Sequence, residues 1–481
     1  MIAVGLPRLA RRRYWRTVQH ASEVAATPSP AHPGRPLTVG LLLTVVCIAL
    51  DGLAVTTVMP IAVRDLRGLA IYGWAFSAFM LASVVGITVS GRLTDRRGPA
   101  VAFAFGVTLF GIGLLAGGLA PSMAWLVAAR GIQGLGGGGL SAVIYASVAR
   151  CYPSGSQPRM LALISTSWVV PGLVGPGLGG FVADHASWRL VFVGLTPVVL
   201  LCAILTMPAL RRLGGSPHGS GDGGGVPFGF PPLVAASSVL VLLALQSRTA
   251  LGGAALLVVG VAGALPGVRR LMPAGTLRAE PGLPAAIAAM GLVSLAFFGA
   301  ETLLPLFLTV FRGQSATMAG LALSGATLTW TAGAWIQARA ARRGARGVLV
   351  GTGATLIACG IVVVSTVFRR NAPLPLALAG WAVVGLGMGL AHSTISLTVI
   401  EQATAGAEGT SSASMQLAYV LGVALGAGLG GAAVALVERG ALSPTTGFAV
   451  AFGIMVLVAL ATAVLARRLP RGPQVAGAAA A

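Results

Sequence analysis

Three charged side chains stand in stretches of the chain that are otherwise apolar for about 20 residues each: Asp51, Glu301 and Arg130. Asp51 and Glu301 are the two acidic residues that fall well inside such stretches. Placing a carboxylate at mid-bilayer costs about 2.5–3.5 kcal/mol on insertion scales. That cost argues for a use. Desolvation disfavours the charged form of a carboxyl, and a group poised between its two forms can load and unload a proton. The guanidinium of Arg130 does not usefully deprotonate, so it needs a pair, water or a cavity. Its approach to a carboxyl favours the ionised form, which is a means of expelling a proton. A structural reading stands beside this one, with the carboxyls held protonated or Arg130 locked in a permanent ion pair.

The elements that position these groups are membrane helices. Of 481 residues, 56% are hydrophobic and only 9% charged, with a mean hydropathy of +0.89. A soluble domain carries about 25% charged residues, so most of this surface does not face water. The 69 glycines suit helices packed closely through small side chains. The apolar runs are far too long for the strands of a membrane β-barrel. About fourteen runs are long enough to cross a bilayer.

They divide into a cytoplasmic tail (1–36), a six-helix bundle (37–209), a polar linker (210–228), a transmembrane hairpin with its loop (229–281), a second six-helix bundle (282–468) and a tail (469–481). Residues 1–35 are rich in Arg, Pro and Ala and show no apolar leader. The linker, with its Gly-Ser-Pro-His-Gly-Ser-Gly-Asp-Gly-Gly-Gly run, has the composition of a flexible tether.

The formal charge of +21 follows from 32 basic residues, all Arg, against eleven acidic ones. Most of these arginines fall on alternate segments, among them Arg11, Arg12, Arg13, Arg92, Arg96, Arg97, Arg211, Arg212, Arg342 and Arg343. By the positive-inside rule those segments and both termini are cytoplasmic in a multi-pass protein of the cell membrane. The charge thus reads as topology and attraction to anionic lipid, not as a nucleic-acid surface. Cys47, Cys151, Cys202 and Cys359 are scattered, with neither disulfide nor metal spacing. No phosphate-binding loop, metal cluster or catalytic triad is present in the sequence, so neither an enzyme nor a cofactor is expected.

Four local patterns carry more. After the second span the chain reads Gly91-Arg-Leu-Thr-Asp95-Arg96-Arg97-Gly98, with a worn copy, Ala341-Arg342-Arg343-Gly344, after the second span of the other bundle. The fourth span holds Arg130-Gly-Ile-Gln133-Gly134. The fifth holds Gly172, Gly175, Pro176, Gly179 and Gly180. Its glycines recur at helical spacing and leave a smooth stripe, while Pro176 removes a backbone donor and invites a bend. The first span carries Asp51 nine residues before Pro60.

The first of these resembles the signature loop of the major facilitator superfamily, in which the Gly allows close helix approach and the Asp and Arg latch the two halves. Pro99 and Ala100 stand where that loop usually ends in a basic pair. The fourth-span pattern resembles the family motif whose Arg is associated with proton transfer, and the fifth-span pattern resembles the motif of its antiporter branch. The first span resembles that of the fourteen-helix drug:proton antiporters, with Leu53 and Thr56 departing from it.

The resemblance implies a major facilitator fold of two six-helix bundles plus an inserted hairpin, and proton-coupled export of lipophilic small molecules by alternating access. Asp51, Glu301 and Arg130 are the expected proton-coupling residues. Gly91, Asp95, Arg96, Arg97 and Gly98 are the expected latch, and Gln133, Trp168, Trp330 and Tyr419 candidate substrate contacts. Protons, a lipophilic substrate and membrane lipids are the expected partners, and a monomer suffices. Two other readings remain: a dedicated exporter of an endogenous metabolite or lipid, and a non-transport sensor or scaffold that kept the fold. Glu401 and Glu408 are expected to be solvated in a loop.

Overall fold

The computed structural model describes residues 35–152, 157–212, 229–247, 249–340, 346–367, 373–403 and 408–470. The tails, most of the linker and the loop copy at Ala341, Arg342, Arg343 and Gly344 lie outside the described residues. Among the described residues all regular structure is helical. The first half holds α1 (Arg35–Asp65), α2 (Trp74–Arg97), α3 (Pro99–Gly118), α4 (Met123–Cys151), α5 (Gln157–Thr166), α6 (Val169–His185), α7 (Arg189–Val193) and α8 (Thr196–Arg212). A hairpin of α9 (Phe230–Leu245) and α10 (Ala250–Leu271) follows. The second half holds α11 (Leu283–Leu306), α12 (Ala316–Ala340), α13 (Arg346–Thr366), α14 (Leu374–Gln402), α15 (Glu408–Glu438) and α16 (Pro444–Leu465).

Among the described residues, ten helical stretches are long and apolar enough to cross a membrane. The four that fall short are α4, α5 with α6, α9 and α12. The helix α9 has only 16 residues, and α5–α6 is interrupted. The other two are diluted by Gly, Ser, Thr and Gln on faces that pack against other helices.

Prolines explain where the chain breaks. The expected fifth span is continuous; Pro176 lies inside α6, and the span is interrupted before it, at Ser167 and Trp168. Pro171 supplies no N–H to the Ser167 carbonyl and its ring crowds it, while in the first turn of α6 that missing donor costs nothing. Pro197 does the same between α7 and α8, where the turn falls at Gly194 and Leu195.

Glycines set the packing of each half and show that the halves repeat. A Cβ on Gly134 or Gly138 of α4 would stand 2.1 Å from the carbonyl oxygen of Phe79 or Ser83 on α2, and one on Gly136 would stand 2.2 Å from the Phe110 nitrogen on α3. In the second half Gly385 and Gly389 of α14 lie as close to Ala326 and Trp330 of α12, and Gly387 to Gly353 of α13. In each half the fourth helix therefore presses into the groove between the second and third, with glycines at the same spacing. The residue four before the first of these glycines is Arg130 in α4 and Trp381 in α14. The duplication has thus exchanged a cation for an indole.

Candidate functional site

Arg130 and Gln133 lie one turn apart on α4 and so share a face, and that face meets Asp51 at the middle of α1. Arg130 Nη1 donates to Asp51 Oδ2 at 2.9 Å and to Gln133 Oε1 at 2.6 Å, and Gln133 Nε2 donates to Asp51 Oδ1 at 2.8 Å. Arg130 Nε donates to the Ala75 carbonyl of α2 at 3.3 Å, and the guanidinium sits 4.2 Å from the centre of the Phe79 ring. Asp51 and Gln133 are fully buried and Arg130 is 3% exposed. Every oxygen of the carboxylate and of the Gln133 amide is engaged. The cluster is sealed and ionically balanced.

Glu301 does not join it. It stands on α11, half-buried, and among the described residues its carboxyl has no hydrogen-bond or ion-pair partner. One turn back, Phe298 begins a closed ring of aromatic contacts that passes through four helices. Its centroid lies 6.5 Å from Trp330 on α12, which lies 5.6 Å from His392 on α14. His392 lies 5.9 Å from Tyr419 on α15, and Tyr419 lies 5.5 Å from Phe298. Tyr419 is also near enough to Glu301 to interact with it electrostatically. Beneath the ring, Phe297 packs on Trp330 and on the fully buried Trp381.

The structure thus brings Trp330 and Tyr419 together, places Gln133 in the Asp51 cluster, and leaves Trp168 at the α5–α6 break, 47% exposed.

The antiporter-type stripe has two faces. Gly175 and Gly179 pack on Leu50 and Ala54 of α1, whereas Gly172, Pro176 and Gly180 face α12 across the joint between the halves. A Cβ on Gly180 would lie 2.4 Å from the Ala316 oxygen, and one on Gly320 would lie 2.2 Å from the Pro176 oxygen. At the same end, opposite the one that bears Arg35 and Arg468 and here called the far end, further contacts cross the joint. The Asp184 carboxylate accepts from the backbone N–H groups of Ala316 (3.1 Å) and Thr317 (2.8 Å) and from the Thr317 hydroxyl (2.6 Å), capping α12 from the other half. Tyr72 Oη donates to the Thr302 carbonyl at 2.6 Å, and Arg64 to the Thr309 carbonyl.

The expected latch lies at the other, near end. Gly98 joins α2 to α3 at φ 88°, a backbone region that favours glycine. Among the described residues, a side chain on Gly91 would meet nothing within 4 Å, so the close approach implied there is not made by any of them, and Arg96 and Arg97 are exposed. The side chain of Asp95 lies outside the described part. Glu401 is not in a loop: it ends α14 and takes two hydrogen bonds from Arg346, at 3.2 and 2.6 Å, because α14 extends further than its apolar run. The side chain of Glu408 is outside the described part.

A family model, the Major Facilitator Superfamily, matches residues 41–427. The chain belongs to this superfamily. It is a multi-pass membrane transporter by fold. A protein of Mycobacterium tuberculosis named "Probable multidrug-efflux transporter" is 27% identical over 449 residues, which cover 86% of this chain and 92% of the relative. The Multidrug transporter protein MdtP of Bacillus subtilis is 25% identical over 76% of this chain and 69% of its own. Among solved structures, a POT family transporter in complex with 5-aminolevulinic acid superimposes with a TM-score of 0.67 at 15% identity, covering 90% of this chain and 96% of that one. A D-xylose-proton symporter gives 0.64 at 16%, covering 91% and 98%. These likenesses show the fold of the superfamily.

Sequence reasoning missed Asp184, Tyr72 and Gly320, which build the far-end joint, and Asp65, which takes Arg189 at 2.6 Å and the Trp188 indole at 3.0 Å at the surface. Asp65 and Asp184 carried one signal: an acidic residue at the end of an apolar helix in an Arg-rich chain.

Proposed function

We propose that this member of the superfamily exports lipophilic small molecules in exchange for protons, and that Asp51, Arg130 and Gln133 are its coupling site. The observation that carries the reading is the sealed carboxylate held at both oxygens by one face of α4. Protonating Asp51 removes the charge that Arg130 answers and one of the two acceptor positions, so the grip of α1 on α4 depends on the proton. Arg130 keeps the Gln133 amide oxygen, the Ala75 carbonyl and the Phe79 face in that step, so its charge is not stranded. Each proton that moves inward supplies about 2.3 kcal/mol per 100 mV.

Two relatives named for multidrug efflux support the direction and substrate breadth. The far end is joined through α6 and α12, while among the described residues none stands within 4 Å of a side chain placed on Gly91 at the near end; this supports a state of an alternating-access cycle that is open to the near side. The arginine bias makes that side the cytoplasm, with both termini on it, in the cell membrane. The hairpin α9–α10 then completes a fourteen-span member of the drug:proton antiporter branch, and one chain is a sufficient unit.

The test is efflux of preloaded ethidium from cells expressing the protein, with and without a protonophore, for wild type and Asp51→Asn at equal expression. Protonophore-sensitive efflux that Asp51→Asn abolishes is the expected result. Efflux that survives Asp51→Asn overturns the coupling role, and no efflux above background overturns broad specificity.

A further inference from the structure

Besides the joint of α6 and α12, the halves meet along a second seam, between α2 of the first and α15 of the second. Toward the far end the two backbones touch. A Cβ on Gly73 would stand 2.6 Å from both the Ala427 oxygen and the Gly431 Cα, and Ser77 Oγ donates to the Ala424 carbonyl at 2.8 Å. The inserted hairpin lies against both helices along this seam. Val234, Ala235 and Leu242 of α9 pack into one apolar cluster with Leu81 and Val85 of α2 and Leu421 of α15. The outer helix α10 instead turns Val258 and Val259 outward, both more than half exposed.

The hairpin is held to the two halves in different ways. It is itself a tight pair: a Cβ on Gly260 of α10 would stand 2.9 Å from the Ser237 oxygen of α9, and one on Gly263 would stand 2.6 Å from Ser237 Oγ. Close-packed helices of this kind move together. Both ends of the pair are tied to α15. At the far end Arg439 Nη1 donates to the Gln246 carbonyl at 2.7 Å, and at the near end Ser414 Oγ donates to the Leu271 carbonyl at 3.0 Å. Between them Leu242 fills the notch at Gly428, where a Cβ would stand 2.2 Å from its Cδ2. Toward α2 the hairpin presents the apolar side chains of α9, a helix without a charged residue. Hydrogen bonds are directional and fix a register. Apolar contact is non-directional, and packed helices shear past one another across it.

We infer that the hairpin is a sliding cover: it travels with the second half, slips along α2 as the halves rock, and keeps bilayer lipid out of the α2–α15 seam. The slip rests on the alternating-access reading above, and the cover rests on the packing alone. Its use to an exporter of lipophilic molecules is direct, since a seam open to the acyl chains would return cargo sideways to the bilayer.

The experiment uses the full-length protein in lipid nanodiscs, in a Cys359→Ser background. Spin-label distances are measured among Leu251→Cys at the hairpin tip, Leu119→Cys on the first half and Ala441→Cys on the second, all exposed, in wild type, Asp51→Asn and Gly320→Ala. The 251–441 distance is expected to stay fixed while 251–119 lengthens in step with 119–441. A 251–441 distance that changes, or a 251–119 distance that stays fixed while 119–441 moves, overturns the slip and leaves the export reading standing. No change in any of the three overturns the slip together with alternating access. The cover is read by carbene labelling from a lipid-dissolved aryl diazirine, mapped by peptide mass spectrometry. Val258 and Val259 are expected to be labelled and Leu81 and Val85 protected. Gly428→Val, which lifts Leu242 from its notch, is expected to raise labelling of Leu81 and Val85 several-fold, and Leu242→Ala serves where that variant is not monodisperse. Leu81 and Val85 labelled as heavily as Val258 in the wild type, or still protected in the notch variant, overturn the cover.

Discussion

Adding one methyl group at Gly320 should open the far end of the molecule. The Cβ of Gly320→Ala would lie 2.2 Å from the Pro176 oxygen, 2.6 Å from its carbonyl carbon and 3.0 Å from the Gly177 nitrogen. Ordinary contact begins near 3.4 Å, and all three atoms belong to backbone, so no side-chain rotation relieves the clash. The helices α6 and α12 must separate by about 1 Å, and overpacking of this kind costs about 1–3 kcal/mol. That cost falls on the state in which the far end is closed. The ratio of closed to open therefore drops by about 5- to 150-fold.

The assay is a spin-label distance between Leu119→Cys and Ala441→Cys, both at exposed far-end positions, in a Cys359→Ser background, because Cys359 is the exposed native cysteine among four. Gly320→Ala should add a longer population to the distance distribution. Gly325→Ala, on the same helix with nothing within 4 Å of its Cβ, should not. An unchanged distribution in Gly320→Ala would refute the idea that α6 against α12 is what closes this end.

Asp184→Ala removes the cap that α12 receives from the first half, worth about 0.5–2 kcal/mol, and should shift the same distance in the same direction. Asp184→Asn, which can still accept from the two backbone N–H groups, should shift it much less; equal effects from Asn and Ala would count against the cap. Arg130→Met leaves Asp51 buried without its counter-charge, a loss of about 3–5 kcal/mol for a broken buried pair, and should lower the thermal midpoint of the purified protein. Adding Asp51→Asn to Arg130→Met should recover part of that loss, and strict additivity of the two changes in a double-mutant cycle would deny their coupling.

Much of this molecule was legible one residue at a time. Composition and run length place the chain in a membrane as helices, because burying a backbone in lipid demands that its hydrogen bonds be met locally. Proline chemistry also acts within a turn: Pro176 lies inside α6, while the break in the fifth helical segment falls before Pro171, where the missing donor sits in a first turn. The types of Asp51, Arg130 and Glu301 marked them as costly wherever they went.

What the local pattern left open is direction and partner. The helical spacing of Gly172, Gly175 and Gly179 announces a smooth stripe, but only the packed fold divides it between α1 and α12. Gln133 carries no signal that separates a substrate contact from a carboxylate clamp; its amide meets Asp51, 82 residues earlier in the chain. The aromatic ring draws on Phe298, Trp330, His392 and Tyr419, and Asp184 caps a helix that begins 132 residues later. Such contacts are decided by how helices from distant stretches are packed together, and a lone sequence records no periodicity across those distances. The amino-acid sequence by itself determined the solvent this protein lives in and which of its charges are expensive. Tertiary structure alone decided that one of those charges is answered and the other is left open, because the duplicated fourth helices present Arg130 in one half and Trp381 in the other.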